Sequence, residues 1–295
     1  MSWLGDALNG LGIGAPVLLV AVSLATLVAS LRVLNVAIGG IVVLGELGAI
    51  AGAHYGLAGC ILLSVALTVA ATVAMELLVL HPQRSRVRDV EMGSFAATLG
   101  IGFALTALAA YLTSSNTVTL PSNFGHFTTT FTVGSSTVAT KGLVFFGIAA
   151  ALAVAWGRVL RDTRSGRAFR AVAANRELAR QLGVNIRRVA IEASIASGAL
   201  AGIAAVMIIL DSRSTNAYTG SSFLLLPFVA VIVGGLGSTR AAAIAAVVIG
   251  IVEGILPPFI SSPGLQDVVI FGLLFAVLVV RPTGIVRQAF LAREF

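Results

Sequence analysis

The sequence predicts an all-α, polytopic membrane protein of about 8–9 transmembrane helices. Three observations carry this. The 295 residues are 58% hydrophobic and 11% charged, with a mean hydropathy of +1.02, whereas a soluble domain carries about a quarter charged residues. The apolar residues come in blocks of roughly 16 to 24, close to the length a membrane-spanning helix needs. The bases cluster between those blocks, so a net charge of +7 and a pI near 10.9 are a signal of topology and not of affinity for nucleic acid. Together these exclude a disordered chain, a nucleic-acid-binding domain and an ordinary soluble enzyme.

The spans read as 11–30, 35–53, 57–80, 94–113, 141–160, 190–210, 222–236, 241–256 and 267–280 within one transmembrane domain covering 1–295. The first basic residue is Arg32, so Leu11–Ser30 lacks the positive flank of a signal peptide and is expected to stay as a membrane helix. With the N-terminus outside, 17 of the 19 basic residues face the cytoplasm and only Lys141 and Arg213 lie outside. The positive-inside rule selects this orientation, with the C-terminus inside.

Two segments are interrupted. The span 35–53 opens with Asn35 and carries Gly39, Gly40, Gly45 and Gly48; the span 222–236 contains Pro227 and ends in Gly234-Gly235-Leu236-Gly237. The next span, 241–256, is also short and runs into Pro257-Pro258. Broken helices in corresponding halves point to a solute path, and the first runs outward where the second runs inward, as an inverted repeat requires. The plainer alternative is close helix packing by small residues. Glu46 is the deepest carboxylate and divides evenly between lining a cavity and bonding a neighbouring helix. Glu76, Glu192 and Glu253 lie nearer helix ends, where interfacial contact or pairing with an arginine is expected.

The outer loop 114–140 has no Asp, Glu or Arg. Its Phe127–Val133 run, with turn residues at Pro121, Asn123 and Gly125, predicts a short β-hairpin. The inner loop 161–188 predicts an amphipathic helix–turn unit: Thr163 or Ser165 caps a start, Gly183 ends it, and Phe169, Val172, Ala173, Ala179 and Leu182 recur among arginines. Such a unit rests on anionic lipid or presents a small apolar face to a soluble partner; its alanines favour the partner.

Catalytic signatures are missing. Thr140 precedes the sole lysine, Lys141, so a phosphate-cradling P-loop is excluded. The three histidines are dispersed, without H-E-x-x-H, and no G-x-S-x-G occurs. One cysteine, Cys60, excludes a disulfide framework.

The inner loop, GRAFRAVAANRELARQLGVNIRRV, resembles the ATPase-coupling loop of the permease subunits of branched-chain amino acid ABC importers. LRVLNVAIGG, SGALAGIAAV, VAVIVGGLGSTRAA and LLFAVLVVRPTG resemble that family's other signatures in the same order. The resemblance covers about Leu31 to Gly284. It implies a transport subunit of the bacterial inner membrane that is not itself an enzyme. Its partners would be a second, similar permease, two cytoplasmic ATPase subunits that hold ATP and Mg, and an external solute-binding protein, with membrane lipid around it. It assigns coupling to Gly166, Arg167, Arg170, Ala171, Asn175, Leu178, Ala179, Leu182 and Gly183, and the path to Asn35, Gly39, Gly40, Gly234 and Gly235, with Gly237 in the same turn. The family often reads Asn-x-Ala-His-Gly-Glu where this chain has Asn35-Val36-Ala37-Ile38-Gly39-Gly40; the His and Glu are lost, and Glu46 joins the path residues as their replacement. The implied solute is a branched-chain amino acid or a similar small polar molecule. The competing class is a stand-alone secondary transporter or channel, with Glu46 carrying a coupling ion; an intramembrane enzyme would lack a nucleophile–base pair.

Overall fold

The computed structural model describes residues 3–86, 90–121, 130–133, 136–260 and 262–280. The chain begins with α1 (Trp3–Leu31), a non-helical stretch, and α2 (Ile38–Gly52). A 3-10 turn at Ala53–Tyr55 leads into α3 (Gly56–Met75), which continues through a π-turn at Glu76–Leu80 into α4 (His81–Arg86). Then come α5 (Val90–Leu112), β1 (Val118–Thr119), β2 (Thr130–Val133), β3 (Ser136–Ala139) and α6 (Thr140–Asp162). The inner loop holds α7 (Arg164–Ala174) and α8 (Arg176–Gln181). The second half is α9 (Ile186–Ser212), β4 (Ser214–Thr215), α10 (Thr219–Phe223), α11 (Leu225–Gly234), α12 (Thr239–Ile255) and α13 (Pro263–Val280).

Among the described residues five helical stretches are long and apolar enough to cross a membrane, and Thr219–Gly234 is a shorter apolar stretch. The molecule is a multi-pass, all-α membrane protein. One of the five, Ile38–Gln83, folds back on itself at Gly56, whose φ of 76° suits glycine alone.

The centre of the bundle is α1, which packs on α12, α9 and α6, while α9 packs on α3 and α2. Small residues allow these approaches. A side chain at Gly10 would stand 2.5 Å from the carbonyl oxygen of Gly250, and one at Gly254 2.4 Å from the Cα of Gly10. With Gly14 they form four-residue spacings on both α1 and α12, the small-xxx-small pattern of membrane helices.

Hydroxyls reinforce the same contacts, since a backbone carbonyl in hydrocarbon is the acceptor nearest to hand. Ser23 of α1 bonds Ser197 of α9 at 2.7 Å. Ser64 and Thr72 of α3 donate to the carbonyls of Gly202 and Ser194 on α9, each at 2.9 Å.

Two small antiparallel sheets accompany the helices: β1 pairs with β4, and β2 with β3. The second covers the Thr130–Val133 part of the expected hairpin; Asn123, Gly125 and 127–129 lie outside the described residues, as do Arg88 and 281–284 of the closing motif. Lys141, expected on the outer side, forms an ion pair with Asp211 at 2.6 Å, tying α6 to α9.

Candidate functional site: a crossing of two interrupted segments

The chain leaves α1 at Leu31, reverses at Arg32 (φ 53°), is non-helical through Asn35 and turns at Val36–Ala37 before α2 starts at Ile38. The Leu34 carbonyl accepts a hydrogen bond from Thr98 Oγ1 at 3.1 Å, and the Val36 amide donates to the same oxygen at 3.4 Å. Thr98 lies about 12 Å along α5 at 1.5 Å per residue, so α2 begins inside the bundle rather than at its edge. Ala37 and Ile38 are fully buried. At 15 residues, α2 is about 22 Å long, short of the roughly 30 Å hydrocarbon core.

The second half supplies the counterpart. After α9 ends at Ser212, the segment through β4 turns back into the molecule and lies along α2. Gly39 and Gly220 meet backbone to backbone: a Cβ at Gly39 would be 2.7 Å from the Gly220 carbonyl oxygen, and one at Gly220 2.1 Å from that of Gly39. Only glycine permits this crossing on either strand of chain. Gly40 fits as closely on the other side, against Leu105 and Gly102 of α5. At Leu224, between α10 and α11, the backbone keeps helical dihedrals, so Thr219–Gly234 continues as one short apolar helical stretch.

Glu46 is fully buried one level along α2. Its Oε2 accepts a hydrogen bond from the Thr215 hydroxyl in β4, and its Oε1 has no hydrogen-bond partner among the described residues. Asn35, also 0% exposed, leaves both Oδ1 and Nδ2 without a partner among the described residues. Each orphaned buried polar group costs on the order of 1–3 kcal/mol.

Of the expected path residues, the structure places Gly39, Gly40 and Glu46 on α2 and Asn35 in the non-helical stretch just before it. Gly234 and Gly235 belong to a different place, the turn between α11 and α12. Gly235 and Gly237 have φ of 101° and 97° there, and Gly234 lies against the backbone of Ala241 and Ala242. That turn serves helix reversal, while α11 packs chiefly on α12 and α1. Sequence reasoning passed over Thr215 and Gly220, the partners of Glu46 and Gly39. A Gly in a polar run after an apolar helix was the only available sign.

The inner loop folds as a capped pair of helices. Thr163 accepts from the Gly166 amide at 3.0 Å, Asn175 from Leu178 at 3.0 Å and Asn185 from Arg188 at 3.0 Å, each capping a helix start. At the end of α8, Gly183 (φ 82°) donates to the Arg180 carbonyl and Val184 to that of Ala179, a Schellman closure. Gly166 has no room for a side chain, which would press on the carbonyls of Val159 and Leu160. Arg170 donates to the carbonyls of Leu160 and Arg161, closing the end of α6.

The apolar periodicity of this loop has a different object from the one expected. Phe169, Val172 and Ala179 are buried in the chain's own core, and Phe169 sits edge-on to Trp156 of α6 with centroids 6.1 Å apart. Trp156 in turn donates to Thr26 of α1 at 2.9 Å. The small apolar face therefore anchors the loop to the bundle. What stands exposed is Arg167, Arg170, Asn175, Leu178, Leu182 and Gly183, with Ala171 partly covered. Glu192 pairs with Arg188 at 2.9 Å and accepts from Ser165. It lies at one end of an apolar groove of about 520 Å³ between α6 and α9, lined by Leu152, Trp156, Phe169, Ile195 and Ile203.

The family described as "Branched-chain amino acid transport system / permease component" matches residues 7–278. The high-affinity branched-chain amino acid transport system permease protein LivH of Salmonella typhimurium (strain LT2) is 30% identical over 220 residues, spanning 73% of this chain and 69% of LivH. BraD of Pseudomonas aeruginosa, of the same description, is 32% identical over 126 residues, 43% of this chain and 41% of BraD. Among solved structures, PsaBC from Streptococcus pneumoniae in complex with Fab aligns over 96% of this chain and 93% of that one, at 11% identity and a TM-score of 0.49.

Proposed function

This chain belongs to the family of permease components of branched-chain amino acid transport systems, and on that premise we propose that it forms the solute path of an ATP-driven importer at the crossing of α2 with the β4–α10 segment. The observation that carries the reading is the Gly39–Gly220 contact deep in the bundle, latched by Glu46 and Thr215. Each half of the chain contributes an interrupted segment, the arrangement that lets transporter halves part around a solute. The crossing is closed here, so passage requires β4–α10 to separate from α2. Asn35, Gly39, Gly40 and Glu46 then face the opening; Gly234 and Gly235 supply the turn on which α11 and α12 swing.

The solute is a branched-chain amino acid or a close relative, following what LivH and BraD are named for. The exposed side of α7–α8, with Arg167, Arg170, Asn175, Leu178 and Leu182 and the Gly183 turn, docks a cytoplasmic ATPase subunit. Gly166, Ala171 and Ala179 shape the unit from beneath. A push on α7 reaches α6 and α1 through Phe169, Trp156 and Thr26. ATP and Mg reside on two such partners. A second, similar permease completes the path, and an external solute-binding protein delivers to it. The whole of 1–295 acts as one permease domain in a cytoplasmic membrane, N-terminus outside and C-terminus inside, as the distribution of bases supports.

The test is reconstitution with the partner ATPases, second permease and binding protein in liposomes. ATP-driven leucine uptake that falls to background in Gly220→Leu, with normal insertion of that variant, is the expected result. Full uptake by Gly220→Leu would overturn the placement of the path.

A further inference from the structure

Asn35 is a buried polar side chain with neither amide atom bonded among the described residues, two residues before Ala37, the N-cap of a membrane-embedded helix, which has no side chain able to cap it. Buried polar groups normally have partners, and a site that breaks a stability rule without compensation within the chain is where a ligand is to be sought. The surroundings define the ligand's chemistry. A helix N-terminus carries unpaired amides and partial positive charge, and the first turn of α2 holds no acidic side chain. Gly39 and Gly40 carry no side chains of their own, and in this closed crossing the space beside them is taken by Gly220 on one side and by Leu105 and Gly102 on the other. The Asn35 Nδ2 adds a donor, and its Oδ1 an acceptor.

Resting on the permease reading above, we propose that Asn35 and the start of α2 form a binding station for the zwitterionic head of an α-amino acid. The carboxylate takes the Nδ2 donor and amides of the first turn of α2 other than that of Ile38, which donates to the Asn35 carbonyl. The ammonium on the adjacent carbon takes Oδ1. A carboxylate at a helix N-terminus is a favourable pairing without any cationic side chain, so the station recognises a net-neutral solute with no buried countercharge. Thr98 fixes its frame by bonding the backbone on both sides of Asn35. The Gly39–Gly220 contact begins one turn further along α2. Occupation of the station and separation of α10 from α2 are therefore adjacent events.

The experiment uses the assembled permease–ATPase complex in lipid nanodiscs, without binding protein, and measures equilibrium binding of tritiated leucine. The wild type is expected to bind saturably, with leucinamide, which lacks the carboxylate, a competitor weaker by about tenfold or more, the scale of a lost hydrogen bond to a charged group. Asn35→Ala is expected to weaken leucine binding by a similar factor with its melting temperature unchanged or raised, because it removes a partnerless buried amide. Asn35→Asp, placing a negative charge opposite the carboxylate, should bind no better than Asn35→Ala. Equal competition by leucinamide overturns the proposal. So does wild-type binding by Asn35→Ala, a fall in its melting temperature with binding unchanged, or the absence of saturable binding. ATP-driven uptake by the wild-type complex with binding protein is measured alongside. Uptake without a carboxylate-dependent site sinks this inference alone, whereas no uptake sinks the permease reading itself.

Discussion

At the scale of single residues, Glu46 and Thr215 decide how the two halves hold together. Among the described residues Glu46 has one hydrogen bond from a side chain, given by Thr215, and hydrogen bonds between membrane segments contribute on average about 0.6 kcal/mol and up to about 2. Thr215→Val removes that bond and leaves the whole carboxylate without it, so the complex is expected to melt at a lower temperature, by about 1–3 kcal/mol of stability. Glu46→Gln keeps an acceptor for Thr215 and should melt nearly as the wild type. Thermal unfolding in detergent compares them, and equal melting of Thr215→Val and wild type would remove the latch from the account. The carboxylate itself was legible in the sequence, as the one deep acid in a glycine-rich helix. Its partner was not, because Thr215 stands 169 positions away in a stretch with no periodicity to mark it as buried.

At the scale of elements, α7 and α8 divide into an anchoring face and an exposed face. Phe169→Ala removes the contact with Trp156 and should destabilise the fold by about 3 kcal/mol, as truncation of buried aromatics does. Leu182, 73% exposed, touches little of its own chain. Leu182→Asp is expected to leave melting unchanged and to abolish ATPase-driven uptake by placing a charge in the partner's groove. Uptake retained in Leu182→Asp would return the unit to a lipid-surface role. The caps of this unit were readable in advance, since Thr163, Asn175 and Gly183 act through backbone geometry within a few residues. Which face the apolar residues address was not. Alanines at helical spacing carry the same signal whether they cover the chain's own core or a partner, and Ala179 covers the core.

At the scale of the whole molecule, the positions of helices followed from hydropathy because a bilayer forces long apolar runs into helices. The nine expected spans each overlap a helix of the structure. What hydropathy does not encode is depth: it gave 35–53 as a span, where Asn35 is non-helical, Val36–Ala37 form a turn and α2 is a helix too short to cross the hydrocarbon core. Glycines marked the close approaches without saying to which helix. Orientation is checked with Cys60 replaced and single cysteines at Asn116 or Gln181, both exposed. An impermeant thiol reagent should label Asn116→Cys only from outside and Gln181→Cys only from inside; the reverse pattern would invert the topology. The central claim, that the path opens where β4–α10 leaves α2, is tested most directly by pinning that crossing. Glu46→Cys and Thr215→Cys, in a chain without Cys60, are bridged by a short bifunctional, reducible thiol reagent in the reconstituted importer, and ATP-driven leucine uptake is followed before and after reduction. The account predicts uptake lost on bridging and restored on reduction, and uptake undiminished in the fully bridged protein would contradict it.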